Sequence, residues 1–248
     1  MKTIYILWIR QIKRYYRSKS RIVGSLAQPL LFLVSLGFGF GPIFQRAGQG
    51  NYIEFLAPGV ISMSIIFTAI FSGIELIWDR QFGFLKETLV APVSRFHIMI
   101  GRTLGGATVA VFQGLIVLGV SSLAGFRPAS LGGIPAAIFF MFLIAVLFTA
   151  LGTAVASVLD DMQGFQLIMN FLIQPLFFLS GALFPLQGLP KALGYITGAN
   201  PLSYGVDALR GSLNDAAQFG LRVDFLVLSA GLAIFIAAGG YLFSKVQV

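Results

Sequence analysis

Six long apolar runs, at about 22 to 41, 55 to 77, 98 to 124, 135 to 158, 165 to 185 and 222 to 243, decide what this chain can fold into. Each is close to the roughly 20 residues that a helix needs to cross about 30 Å of hydrocarbon. A backbone in that medium finds no water, so a spanning segment must satisfy its own N–H and C=O groups, and runs of this length do so as helices. Hydrophobic residues are 57% of the 248 and charged residues only 10%, more apolar surface than a soluble core of this size can hide. The 25 Phe and 29 Gly suit aromatics against acyl chains and helices that approach closely. The expectation is an all-α integral membrane protein, one transmembrane domain over 1–248 with six transmembrane helices.

Charge and cysteine content narrow the chemistry. The formal charge of +8 has no soluble domain to form a nucleic-acid patch on. The basic residues gather beside apolar runs, where they meet anionic headgroups. The absence of Cys excludes disulfides, thiolate metal sites and cysteine nucleophiles. His97, the one histidine, makes no metal cluster by itself. With the N-terminus in the cytoplasm, twelve Lys and Arg fall on inner segments against five on outer ones (Arg46, Arg127, Lys191, Arg210 and Arg222). That asymmetry predicts both termini on the cytoplasmic side of the cell membrane.

Residues 1–21 carry Lys2, Arg10, Lys13, Arg14, Arg17, Lys19 and Arg21 and no acid. On a helix the arginines share one side and Ile4, Trp8, Ile12 and Tyr15 another, the pattern of an interfacial helix on the cytoplasmic leaflet. A secretory signal is not expected, because the apolar run begins only after Arg21. The first span contains Gln28-Pro29-Leu30 and ends in GFGFGP, which predicts a kink and a frayed outer end. Gln174-Pro175-Leu176 repeats the first motif in the fifth span, running in the same direction, so it is no inverted repeat.

The connection from Trp78 to Arg102 is longer and more amphipathic than a turn. Phe82, Leu85, Leu89 and Val93 recur at helical spacing, Lys86 and Glu87 project elsewhere, and Pro92 closes the helix. It reads either as a headgroup-level loop or as a docking surface. Glu75, one turn from the end of the second span, is expected at headgroup level or paired with Arg80. Gly101 and Gly105 form a G-x-x-x-G pattern that permits close helix crossing. Asp160 and Asp161 read as a solvated turn, with no third ligand or nucleophile beside them.

The outer segment 186–221 is punctuated by Pro190 and Pro201 just after Pro185. Asn200-Pro201 reads as an N-cap followed by proline at the first helical position. Leu202, Val206, Leu209 and Leu213 then share a face, and Asp207 and Arg210 are spaced to pair. Too short to span and too apolar for open water, the segment is expected to be re-entrant and shielded by the spans.

No G-x-x-x-x-G-K-[ST] phosphate loop occurs in the sequence, so ATP hydrolysis by that route is not expected of it. The middle of every run is also free of Asp, Glu, Lys, Arg and His, where gradient-driven carriers place ion-coupling groups. An intramembrane enzyme would need groups converging on a nucleophile, which His97, Glu75, Asp160 and Asp161 do not do.

Three stretches together resemble the membrane permease subunit of ABC-2 type transporters, a group that includes many drug and lipid exporters. They are the loop Arg80-x-x-Gly83-x-x-x-Glu87-Thr88-Leu89-x-Ala91-Pro92-Val93-Ser94-Arg95; the run Phe178-Leu179-Ser180-Gly181-Ala182-Leu183-Phe184-Pro185; and Asn200-Pro201-Leu202-Ser203-Tyr204-Gly205-Val206-Asp207-Ala208-Leu209-Arg210-Gly211. Gly205 departs from the alanine usual there. The resemblance implies a non-enzymatic permease for an amphipathic or hydrophobic cargo, exported from the cytoplasm. It implies a second copy of the chain and two copies of a separate ATPase that binds the ATP and Mg, with no cofactor on this chain. It makes 79–97 a cytoplasmic coupling loop in which Phe82, Leu85, Lys86, Glu87, Thr88 and Leu89 contact the ATPase. Residues 1–21 become the connecting helix, and the outer re-entrant segment becomes a gate with Pro185, Asn200, Pro201, Tyr204, Asp207 and Arg210. A partner-independent channel or gradient-driven carrier is the alternative.

Overall fold

A computed structural model describes residues 2–46, 50–90, 92–186 and 190–246, and of Arg21 the backbone alone. Among these residues the chain forms eleven α-helices, one 3-10 turn and no strand. In order they are α1 (Lys2–Arg17), α2 (Lys19–Arg46), α3 (Tyr52–Phe71), α4 (Ile74–Gln81), α5 (Phe84–Val90), α6 (Arg95–Leu123), α7 (Ile134–Val158), α8 (Met162–Phe178), α9 (Lys191–Ala199), α10 (Pro201–Asn214) and α11 (Leu221–Ser244).

Five segments are long and apolar enough to cross a membrane: Ile22–Arg46, Tyr52–Gln81, Arg95–Leu123, Leu131–Val158 and Leu221–Ser244. The protein is therefore a multi-pass membrane protein. The expected fifth span is α8, which has 17 residues and ends at Phe178 instead of continuing to 185. At 1.5 Å per residue it covers only about 25 Å.

Burial sorts the helices into a core and a lipid-facing shell. α3 is buried along almost its whole length among α2, α6, α7 and α10. α7 buries Ala137, Met141, Ile144 and Phe148 on the sides it turns to α3, α6, α10 and α11. By contrast α2 leaves Leu31, Val34 and Phe38 uncovered, and α11 leaves Leu226 and Ile234. Such residues are at no cost where the solvent is acyl chain.

Two expectations need correction. The first span does not fray into glycine-rich backbone: α2 runs unbroken through Pro29 and Pro42 to Arg46. Phe44 packs on Tyr52 and Phe55, with ring centroids 5.0 and 5.7 Å apart, which holds the last turns in place. The second span is not one helix but α3 and α4, interrupted at Ser72 and Gly73. There α7 comes into backbone contact, for a Cβ on Gly73 would lie 2.5 Å from the Gly152 carbonyl oxygen.

Candidate functional site

The predicted hook is present as α5, and it begins where Gly83 takes φ 81°, a conformation glycine adopts without strain. The amides of Lys86 and Glu87 bond back to the Gly83 carbonyl, and Thr88 Oγ1 donates to Phe84 O at 3.0 Å. Ala91 lies outside the described residues, and Pro92 follows it. Of the expected contact residues, Phe82, Lys86 and Glu87 are exposed and Thr88 and Leu89 are half-buried. Leu85 is 0% exposed and part of the core, so it fastens the hook instead of offering itself to a partner. Val90, 86% exposed, stands in its place on the free side.

Beneath α5 lies a network of charges that joins three helices. Asp79, on α4 and only 4% exposed, accepts two bonds of 2.9 Å from the Arg10 guanidinium of α1. Arg14 reaches the same carboxylate at 3.4 Å and Glu75 at 3.8 Å. From α6, Arg102 places Nη1 2.8 Å from Asp79 Oδ2, with its side chain 3% exposed. The Arg10 guanidinium also lies 3.8 Å over the Phe84 ring, on the first turn of α5. Glu75 is thus a buried member of this network beside Arg14, and the expected alternative of a pair with Arg80 is corrected.

Arg80 instead turns to the end of α7. It donates to the carbonyls of Ser157 and Leu159 at 3.1 and 3.2 Å and forms an ion pair with Asp160. A cation bonded to the last carbonyls of a helix satisfies groups that have no intrahelical partner and lies at the negative end of its dipole. Asp161 caps the next helix, accepting from the Gly164 amide. The acidic pair therefore has structural employment on both sides. Arg95, at the start of α6, donates to the Ser244 and Val246 carbonyls, each at 2.7 Å, and so clamps the end of α11. His97 is exposed, bonded to Ser94 Oγ through Nδ1.

The G-x-x-x-G pattern does bring helices together, and the helix it admits is α1. A Cβ on Gly105 would lie 2.6 Å from Gln11 Cβ, and one on Gly101 3.0 Å from the Ile4 carbonyl oxygen. Trp8 Nε1 donates to Thr108 Oγ1 at 2.9 Å, and Tyr15 bonds Gln113, whose amide donates to Ser25 Oγ at 2.8 Å. α1 is consequently packed along α6, burying Leu7, Gln11 and Tyr15.

At the opposite end of the bundle, α9 and α10 form the predicted short helical pair. Asn200 caps α10 by accepting from the Leu202 amide, and Pro201 takes the first position. Leu202, Val206, Leu209 and Leu213 are all fully buried. Asn200 Nδ2 also donates to Leu176 O at 2.7 Å and Ser203 Oγ to Leu179 O at 3.4 Å, so α10 seals the open end of α8. Tyr204 donates to Gly198 O at 2.8 Å, tying α10 to α9. The expected Asp207–Arg210 ion pair does not form. Asp207 accepts from the amides of Gln218 and Phe219 at 2.7 to 2.9 Å, while Arg210 donates to Gly181 O at 3.0 Å and stacks 4.2 Å over Phe55. Burial pushes the Arg210 guanidinium down to about 10 against the pull of Asp207, which leaves it cationic at neutral pH. Pro185 is exposed, and 187–189 lie outside the described residues.

A sequence model of the family described as ABC-2 type transporter matches residues 2–214, which takes in the hook, its charge network and the α9–α10 pair. The chain belongs to the ABC-2 type transporter family. Relatives agree across most of its length, two of the three that follow being named as transport permeases. A putative transport permease ycf38 from Cyanophora paradoxa is 27% identical over 99% of this chain and 89% of its own. One from Pyropia yezoensis is 30% identical over 85% and 73%. Nodulation protein J of Sinorhizobium fredii is 26% identical over 94% and 91%. Among the described residues of this ABC-2 permease no three His, Asp or Glu gather in a way that could hold a metal ion.

Sequence reasoning passed over Asp79 and used Arg10 and Arg102 only as inner positive charges, although the three are the centre of the charge network. A signal was there: Glu75 and Asp79 stand one turn apart near the end of one span, and Arg102 lies two turns into the next, antiparallel one. Charges of opposite sign at matching depth on neighbouring helices are costly to bury apart and so mark a contact.

Proposed function

We propose that the chain is the membrane half of an ATP-driven exporter, in which a separate ATPase binds at α5 and moves an amphipathic or hydrophobic cargo out of the cytoplasm. In this reading α5 and both termini face the cytoplasm, α8 completes six crossings of the cell membrane, and α9 with α10 is a re-entrant gate on the outside. A second copy of the chain completes the pathway, and two ATPase subunits carry the ATP and Mg. The observation that supports it best is the two-sidedness of α5. Its free side presents Lys86, Glu87 and Val90, with exposed Phe82 just before it at the end of α4, whereas its bound side is joined through Arg10 and Asp79 to α1, α4 and α6. A push on the free side is passed to three helices at once. The span centres, free of ionisable side chains, offer no site for a coupling ion.

The test is co-expression with the cell's ATPase candidates and reconstitution. The chain alone is expected to hydrolyse no ATP, and the complex to hydrolyse it. Replacing Phe82 and Glu87 together by Ala is expected to lower transport about tenfold or more, the loss typical of two anchor residues in an interface. Transport that survives removal of residues 82 to 90, or solute flux through the chain by itself, overturns this reading in favour of a channel or carrier.

A further inference from the structure

Asp224 has no part in the transport reading. It stands in the first turn of α11, at the α9–α10 end of that span, and is fully buried. Among the described residues neither of its carboxylate oxygens has a hydrogen-bond partner. An ionised carboxylate in such a place calls for a counterion or several donors, and without them its burial is strongly unfavourable. The elements around it supply none. α11 packs on α7, α10 and α6, and α7 carries no ionisable residue at all. The ionisable groups of α6 (Arg95, His97 and Arg102) belong to the opposite end, where Arg95 holds the Ser244 carbonyl. α10 brings Asp207 and Arg210, but Arg210 is turned to the Gly181 carbonyl and the Phe55 ring. Arg127, Asp215 and Arg222 are exposed. The charge that acts on Asp224 is that of Asp207, of its own sign.

The connection that leads from α10 into Asp224 is folded tightly back on α10. Asp207 accepts from the amides of Gln218 and Phe219, and the Phe219 ring lies 4.9 Å from that of Tyr204, centroid to centroid. Ala217 comes so near that a Cβ on Gly211 would lie 2.7 Å from its own. Asp207 is therefore supplied with donors from this seam, whereas Asp224, next along the chain in the interior, is supplied with nothing.

We propose that Asp224 is a proton-binding site: the closed seam between α10 and α11 holds its carboxyl as the neutral acid, and release of that proton to entering water loosens the seam. A neutral carboxyl needs no counterion, and it can donate as well as accept. Once ionised, it sets a second negative charge against Asp207 where no cation answers it. The closed seam thus binds one proton more than the open one, so closure is strongest in acid and weakens as pH rises. Under the transport reading this end is the outer gate, and protons outside the cell then set how readily it opens. The protonation itself does not depend on that reading.

Two measurements on the full chain in lipid nanodiscs test this. Infrared spectroscopy detects a protonated carboxyl by a carbonyl stretch that the ionised form lacks; at neutral pH the chain is expected to show it and Asp224→Asn to lose it. Hydrogen exchange at the amides of Gln218 and Phe219 reads the seam. From about pH 6 to about pH 9, the range in which sealed carboxyls titrate, their protection is expected to fall about tenfold relative to Asp224→Asn at the same pH. Should the variant fail to fold, the unaltered chain still decides, because the infrared band and the protection must fade together as pH rises. Absence of the band at neutral pH overturns the proposal, as does a band that persists in the variant or protection that changes equally in both proteins. If calcium restores protection at alkaline pH, the two carboxylates hold a metal ion and the proton assignment falls. Neither measurement requires an ATPase or a cargo, so their outcome is separable from any failure of the transport reading.

Discussion

Asp79 is one carboxylate among three guanidinium groups, and the consequence of losing it falls mainly on Arg102. Arg10 and Arg14 keep some access to water, with side chains 27% and 30% exposed, whereas that of Arg102 is 3% exposed. Asp79→Asn is therefore expected to destabilise the protein by about 3 kcal/mol, because it leaves a buried cation uncompensated. Asp79→Leu combined with Arg102→Met should recover most of that loss, since apolar replacements of similar size need no counterion. Thermal unfolding of the purified chain in lipid measures both. Gly205 shows a different kind of constraint. A Cβ added there would lie 2.9 Å from Ile144 Cγ1, so Ile144 would have to shift to admit one. Asp207 and Arg210 show how spacing can mislead: they are three apart on one helix, but backbone amides and carbonyls from other segments reach each of them first.

Among elements, α1 shows most clearly what a periodic pattern conveys. Its division into a basic and an apolar side was legible from Arg10, Arg14, Ile4 and Tyr15, but periodicity does not say what covers the apolar side. The glycines that admit it, Gly101 and Gly105, lie about a hundred residues away, and only the packed structure joins the two observations. Gly105→Leu is expected to push α1 off α6 and to speed tryptic cleavage at Arg10 and Lys13 roughly tenfold, as the free energy of local opening falls. Unchanged cleavage would mean that α1 is held by its charges alone. α8 was misjudged for a related reason. The apolar run continues to Pro185, so composition extends the helix, but the carbonyls of Leu176 and Leu179 are taken by Asn200 and Ser203, and the chain turns there.

At the scale of the whole molecule, the helical class and the placement of five of the six expected spans were legible because hydrocarbon thickness sets their length. The interruption at Ser72 and Gly73 was not, since it arises where α7 crosses and nothing local announces it. The absence of cysteine makes sidedness simple to measure with single substitutions. Lys86→Cys on α5 is expected to react with a membrane-impermeant maleimide only in opened cells, and Tyr195→Cys on α9, 79% exposed, in intact ones. Reaction of both from the same side would remove the basis for a cytoplasmic hook. Arg95 stands between α5 and the body of α6, and its bonds to the carbonyls of Ser244 and Val246 tie the end of α11 to the start of α6. If α5 is the docking point proposed above, a displacement that reaches the start of α6 is passed through Arg95 to the end of α11 as well.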